Sequence, residues 1–441
     1  MAAELAILGG TPAIDSDHDH FAQWPIYGEE EAAAVADLVR NHRLSSSHPG
    51  GGGPIEELEE LMASRWGLRF ALAHSSGTAA MRSALFGFGV LPGDEVIVQS
   101  AVHPFACLPI IGCGAIPVFA DLHPATTTLD PADVERCVTT RTKAIIVVHW
   151  NGMPADMDGI LDVARRHGLR VLEDNCVSQG TEYRSRLCGS IGDATAISLQ
   201  DGKLTSAGEG GMLLTDDEEV FARASTLGHY ERLKDLSDPK YRAVSGFGFG
   251  EKYRMATLTA AIGCVQMRRW DQFIADRRAN ARQLGAAIAA IDGFAAPVVP
   301  DYVASPFDRG HICFDPQRLG GISRERLVEG LQAEGARVMS AARKETRIPH
   351  TNLIRALHLH PVFAGNSEGT GQLLGDLLGP STATIAAGPG TLPVTEDPEL
   401  PYDTLALPGF TRPAGEPIDQ YATAFAKVAE NAAKLADHNT A

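Results

Sequence analysis

The sequence has no run of apolar residues approaching the roughly 18–20 that a membrane span needs. It has no excess of basic residues either. Its 38 Lys and Arg stand against 55 Asp and Glu, and a net charge of −17 gives a nucleic acid or an anionic membrane surface nothing to bind. Seven cysteines (Cys107, Cys113, Cys137, Cys176, Cys188, Cys264 and Cys313) are odd in number and scattered, with no C-x-x-C pair. That argues against a disulfide framework or a zinc cluster, and for reduced thiols in a cytoplasm. The first residues, MAAELAILGGTPAI, lack the basic start and long apolar core of a secretory leader, which points to the same compartment. No repeat of solenoid or propeller period is present.

What remains is an ordinary globular composition: 441 residues, 44% hydrophobic and 21% charged. Strand-length apolar runs occur at Phe70–Ala73, Glu95–Val98, Pro117–Ala120, Ala144–Val148, Arg170–Leu172 and Ala194–Leu199, with amphipathic segments such as Met81–Phe88, Pro131–Cys137 and Met157–His167 between most of them. Short Val/Ile-rich runs that are apolar on both faces predict a parallel sheet covered by helices on both sides. Met255 to about Ala290 reads as one long helix. A capped helix is expected from Ser323, a loop-rich stretch over 364–403, and a last helix from about Ile418 to Leu435. The domain plan is an N-terminal segment over 1–54 that packs on the C-terminal domain, a large α/β domain over 55–250, and a linking helix with a small C-terminal domain over 251–441.

Lys203 stands among small residues in SLQDGKLTSAGEGG, just past the strand that ends near Leu199. Open α/β sheets bind ligands at this end of their strands. Asp174 ends another buried strand, in VLED. A lysine and an acid placed in this way suit pyridoxal phosphate: the amine bonds the cofactor's aldehyde, and the carboxylate keeps the pyridine nitrogen protonated. His74-Ser75-Ser76-Gly77-Thr78 lies between a strand and a helix, where backbone N–H groups make a phosphate cradle.

These stretches resemble the DegT/DnrJ/EryC1/StrS family of pyridoxal-phosphate aminotransferases. The matching segments are HSSGTAAMRSAL, GVLPGDEVIVQS, GAIPVFADL, TKAIIVVHWNGMPADMDGI, VLEDN, GSIGDATAISLQDGKLTSAGEGGMLLTDD and EKYRMATLTAAIG, with GGTPAI and WPIYGEEE before them and LALPGF after. The resemblance implies a fold-type I transferase: a mostly parallel seven-stranded sheet, a smaller α+β domain, and a homodimer with active sites at its interface. Lys203 would be the cofactor-bonding lysine and proton carrier, and Asp174 the partner of the pyridine nitrogen. Ser76, Gly77, Thr78 and Ser198 would hold the phosphate, and His103 would stack on the ring. Three positions depart from the family pattern. Val177 replaces a glutamine, Lys252 replaces the asparagine that reaches the partner's phosphate, and Gln179 replaces a histidine.

Substrate contacts are expected at His149, which follows a strand, at Gln179, and at His358 in the C-terminal loop region. No metal site is expected. Asp17-His18-Asp19-His20 reads as a solvated turn, and His358-x-His360 has no accompanying cluster. The expected activity moves an amino group from L-glutamate or L-glutamine to a keto-sugar or keto-cyclitol in biosynthesis. The alternatives are dehydration or elimination on the same cofactor, and a catalytically silent cofactor-binding regulator. A nicotinamide enzyme is a weaker rival, since no G-x-G-x-x-G follows the first strand.

Overall fold

A computed structural model describes residues 4–15, 24–45, 53–150, 152–248, 251–296, 299–306, 310–340, 356–359, 363, 390–396, 404–407 and 409–437. The Asp17–His20 cluster, Gly50–Gly52, Asn151, His360 and most of the 364–403 stretch lie outside those residues.

The central sheet has seven strands: β1 (Phe70–His74), β2 (Glu95–Gln99), β3 (Ile116–Ala120), β4 (Thr142–Val148), β5 (Arg170–Asp174), β6 (Ala194–Ser198) and β7 (Gly211–Thr215). Their spatial order is β1-β7-β6-β5-β4-β2-β3. All neighbours pair in parallel except β7, which runs antiparallel to both β1 and β6. The expected α/β class with a mostly parallel seven-stranded sheet is therefore present. β7 was not among the strand-length runs expected from the sequence.

Alternate residues of one strand enter different cores. Val96 and Val98 pack with Leu72, Ile146 and Leu172 on one face, while Ile97 packs with Ile145, Val147 and Val171 on the other. Helices α1 (Glu29–Arg40) and α2 (Pro54–Trp66) precede the sheet. Helices α3 (Gly77–Gly87), α4 (Pro104–Gly112) and α7 (Glu218–Gly228) cover its first face, and α5 (Pro131–Cys137) and α6 (Met157–His167) cover the second. Local chemistry sets their limits. Asp156 accepts the Gly159 N–H at the start of α6, three basic residues fill its last turn, and Gly168 ends it at φ +66°.

The expected long helix after Met255 is two helices, α8 (Thr257–Arg268) and α9 (Trp270–Ala289). The break falls at Arg269, whose guanidinium pairs with the buried Glu31, while Trp270 turns into the core beside Trp66 with ring centroids 5.5 Å apart. Helix α9 leads to a four-stranded antiparallel sheet of Phe294–Ala295, Gly310–Phe314, Thr404–Leu407 and Met339–Ser340. The expected helix capped by Ser323 is α10 (Arg324–Ala333). The last expected helix divides at Asn431 into α11 (Gly415–Glu430) and α12 (Ala432–Asp437).

The N-terminal segment divides between two cores. Leu5 and Ile14 join the core that holds Phe294, Leu331 and Phe425, whereas Trp24 and Ile26 pack against the cluster that holds Leu58, Met212, Met255 and Trp270. Among the described residues no helix is long and apolar enough to cross a membrane.

Candidate active site

With β7 alone reversed, the C-terminal ends of β1, β2, β4, β5 and β6 open at one edge of the sheet, and β7 begins there. Ser76 caps α3 by accepting the Ala79 N–H at 3.1 Å. The first N–H groups of a helix have no acceptor inside it, so the amides of Gly77 and Thr78 remain at this N-terminus for an anion. Gly211 pairs with both His74 and Ser198, which presses β7 against the cap. A Cβ at Gly211 would lie 2.3 Å from the Ser76 carbonyl and 2.4 Å from the Gly77 nitrogen. A Cβ at Gly77 would lie 2.9 Å from Cys176 Sγ and 3.1 Å from Ser198 Cβ. Glycine at these two positions lets three backbones meet, and it brings Ser198 beside the cap.

Asp174 is the last residue of β5, and is 5% exposed; its Oδ1 accepts the Cys176 N–H at 3.0 Å. Lys203 lies on the loop between β6 and β7. That loop closes on itself through Leu199 N–H to Gly210 O (2.9 Å), Asp201 N–H to Gly208 O (3.0 Å) and Ala207 N–H to Leu199 O (2.8 Å). Trp24 Nε1 donates to the Lys203 carbonyl at 2.9 Å, and Tyr27 Oη donates to Asp201 at 2.6 Å. No hydrogen bond or ion pair joins Lys203 Nζ to another of the described residues.

Electrostatics place the charged groups together. His103 caps α4, its Nδ1 accepting the Phe105 N–H at 3.3 Å. Burial lowers its pKa from the ordinary 6.5, the Lys203 charge lowers it further, and Asp174 opposes both. The Cys176 thiol is raised well above its ordinary value by burial and by Asp174, with Lys203 acting against them. His103 and Cys176 thus each sense Lys203 and Asp174, so residues from after β2, β5 and β6 share one neighbourhood. Among the described residues no group of three His, Cys, Asp or Glu is placed to hold a metal ion.

The three expected substrate contacts are placed differently. His149 is fully buried, with Nε2 2.8 Å from Glu173 Oε2 and the Ala155 N–H donated to Nδ1 at 3.3 Å. Consecutive strand residues face opposite sides of a sheet, so Glu173 and its histidine lie across the sheet from Asp174. Gln179 is 3% exposed and uses both ends of its amide, Nε2 donating to Ser198 O (2.7 Å) and Oε1 accepting from Thr205 N–H (3.0 Å). His358 is fully buried between Ser100 Oγ (2.6 Å from Nδ1) and Glu396 Oε1 (3.0 Å from Nε2). All three have structural partners rather than an open face.

Lys252 is exposed, on the segment where Tyr253 O accepts the Ser75 N–H at 2.7 Å and Arg254 bridges to His74. It therefore sits at the same end of β1 as the cap. The sequence reading missed Glu173, Trp24, Tyr27 and Gly211. The only available signal was their position inside VLED, WPIYGEEE and GEGG.

Known proteins resemble this chain in sequence and in fold. The spore coat polysaccharide biosynthesis protein SpsC of Bacillus subtilis is 36% identical over 326 residues, which cover 72% of this chain and 81% of that protein. The L-glutamine:2-deoxy-scyllo-inosose aminotransferase of Streptoalloteichus tenebrarius is 34% identical over 300 residues, covering 66% of this chain and 69% of the relative. The crystal structure of an aminotransferase from Psychrobacter cryohalolentis superposes with a TM-score of 0.76 at 25% identity, covering 93% of this chain and 98% of that one. The sequence pattern of the DegT/DnrJ/EryC1/StrS aminotransferase family matches residues 25–368, and the chain belongs to that family.

Proposed function

We propose that this aminotransferase uses pyridoxal phosphate, takes its amino group from L-glutamine or L-glutamate, and delivers it to a keto-sugar or keto-cyclitol in biosynthesis. The observation that carries this reading is the gathering of Lys203, Asp174 and the α3 N-terminus at one sheet edge. The residues fit the cofactor's three demands. Glycine at 77 and 211 lets β7 and Ser198 close on the α3 cap, whose first amides have no acceptor inside the helix, Asp174 is a buried carboxylate, and Lys203 offers an amine with no partner among the described residues. Relatives named for L-glutamine and for polysaccharide biosynthesis support the donor and the acceptor class.

When bound, pyridoxal phosphate supplies an electron sink for the bond-breaking at the substrate carbon. Asp174 would keep a proton on the ring nitrogen through its carboxylate. Ser76, Gly77, Thr78 and Ser198 would hold the phosphate, and His103 would stack on the cofactor ring. Lys203 Nζ would be the amine that holds the cofactor's aldehyde, and as a base and then an acid it would move a proton at the substrate carbon. Lys252, exposed beside the cap, would reach a second copy's phosphate in a homodimer, where an ammonium would replace an amide as the anion's partner. The compartment that fits seven unpaired thiols is the cytoplasm.

The test is spectroscopic. The protein loaded with pyridoxal phosphate is expected to show the visible band of a lysine-bound cofactor, which bleaches on adding L-glutamine or L-glutamate. Lys203→Ala is expected to lack the band. A band that persists in every amino acid tried would favour a silent regulator, and a band retained by Lys203→Ala would overturn the lysine assignment.

A further inference from the structure

Gln179 lies on the turn after β5, and its amide spans two other elements. Nε2 donates to the carbonyl of Ser198, the last residue of β6, and Oε1 accepts the N–H of Thr205, two residues past Lys203. The turn beneath it has little freedom. Gly180 follows at φ +82°, and a Cβ there would come within 2.4 Å of Ile274. From the other side, Trp24 Nε1 holds the carbonyl of Lys203 itself. The lysine loop is therefore clamped by one buried amide and one indole, and the amide reads its distance from both the Asp174 turn and the Ser198 strand end.

A primary amide meets both demands at this position. It has a donor for Ser198 O and an acceptor for Thr205 N–H, whereas a carboxylate offers acceptors alone and a thioether offers neither of useful strength. We propose that Gln179 is a positioning residue, one that sets the placement of the Lys203 amine against Asp174 and the phosphate cradle and does not touch the substrate. The proposal rests on the reading of Lys203 as the cofactor-bonding lysine. A misplacement of about 1 Å at a reacting group is enough to cost on the order of 100-fold in rate, which gives such a residue a catalytic consequence.

The test uses the cofactor-loaded protein and three variants, Gln179→Met, Gln179→Glu and Trp24→Phe. Four readouts are taken: the pH midpoint of the visible lysine–cofactor band, kcat and KM for L-glutamine, thermal unfolding, and amide exchange at Thr205 in cofactor-free protein. Gln179→Met is expected to speed Thr205 exchange, move the pH midpoint, and lower kcat about 10- to 100-fold with KM little changed. Gln179→Glu is expected to share the defect near neutral pH and to recover as the pH falls. A protonated carboxyl regains the donor for Ser198 O, and burial favours that neutral form. Trp24→Phe, which loosens the same loop from outside, should move the midpoint in the same direction and supplies the test if the Gln179 variants do not fold.

A raised KM at constant kcat would make Gln179 a substrate contact and overturn the proposal. Loss of thermal stability with an unmoved midpoint and unmoved kcat would make it merely structural, which overturns the proposal as well. A wild-type protein with no visible band would instead sink the functional reading on which the proposal stands.

Discussion

Glu173 and Asp174 are consecutive residues of β5 whose carboxylates serve opposite faces of the sheet. Asp174 faces the neighbourhood of Lys203 and His103, as the shared electrostatics of that edge record. Glu173 is fully buried on the other side. It receives the N–H groups of Gly189 (2.7 Å), Ile191 (2.6 Å) and Gly192 (2.6 Å), together with His149 Nε2 at 2.8 Å. One carboxylate ties down the Gly189–Gly192 loop that leads into β6; its neighbour faces the Lys203 edge.

Glu173→Gln should therefore behave as a stability variant. The amide keeps one acceptor oxygen but loses the charge that three amides and a histidine converge on, and about 3 kcal/mol is the expected cost. The pH dependence has a definite sign. Burial alone would raise the Glu173 pKa, but His149 and the amides of Gly192 and Gly189 outweigh it and hold the carboxyl below its ordinary 4.5. A depressed carboxyl stabilises the fold above that ordinary value, and its contribution is lost as the pH falls through the folded value. Urea unfolding of both proteins at pH 7 and at a series of values below 4.5 checks this. The gap between them should close towards acid, and equal stability at pH 7 would refute the role.

Gly211→Ala tests the cradle. Its Cβ would have to occupy a point 2.3 Å from the Ser76 carbonyl, a backbone atom that cannot swing aside as a side-chain tip can. The cap of α3 must then move away from β7 and Ser198. Cofactor affinity is expected to fall at least about 10-fold, beyond what a few tenths of an ångström of relaxation could hide. Equilibrium titration of cofactor-free protein with pyridoxal phosphate measures it. An alanine variant that binds as the wild type does would mean that the cap is not where the phosphate sits.

Much of this is legible in the amino-acid sequence alone. Pro131–Cys137 and Met157–His167 are helices with the bounds expected, because Pro at the first turn and Gly168 at the end are local signals. Lys203, Asp174 and Ser76 are legible because each sits at a strand end next to small or polar residues. What is not legible has a different cause. His149, Gln179 and His358 are polar residues near those same strand ends, and a sequence does not say which way a side chain turns. Their partners, Glu173, Thr205 and Glu396, are fixed by strand register and loop packing. The break at Arg269 is invisible for a similar reason, since it depends on Glu31 reaching it from far along the chain. β7 escapes notice because GMLLT follows a glycine run that reads as loop.

His358 makes a third prediction. Ser100 follows β2 and Asp121 follows β3, and both anchor the segments around 356–359 and 390–396. Ser100 bonds His358, while Asp121 accepts the Val394 and Thr395 N–H groups at 2.8 and 2.7 Å. Glu396 closes the arrangement, taking the N–H groups of Gly390 (2.7 Å) and Leu392 (3.0 Å) along with His358. His358→Ala leaves Ser100 Oγ without its ring partner and should destabilise the protein by about 2 kcal/mol. Hydrogen exchange should localise the effect, with Leu392 and Thr395 amides exchanging faster than in the wild type. If exchange rises only at the Lys203 loop, the histidine serves the active site directly and the anchoring role fails.

Tyr27 provides the last test, and it reads the Lys203 loop without a cofactor. The ring is 42% exposed, yet its hydroxyl donates to Asp201 and lies 2.8 Å from Ser206 Oγ. Partial burial and the Asp201 carboxylate push its pKa from the ordinary 10.0 up to about 12. Losing the proton would remove the donor and set a phenolate against that carboxylate. A group raised in this way stabilises the fold fully below its ordinary value, and the contribution is lost as the pH rises through the folded one. Ultraviolet titration of the wild type minus Tyr27→Phe isolates this phenol from the other tyrosines. The difference curve should have its midpoint near 12. A midpoint near 10.0 would show that the Tyr27–Asp201 bond does not persist in solution. In that case the outer clamp on the lysine loop would rest on Trp24 alone.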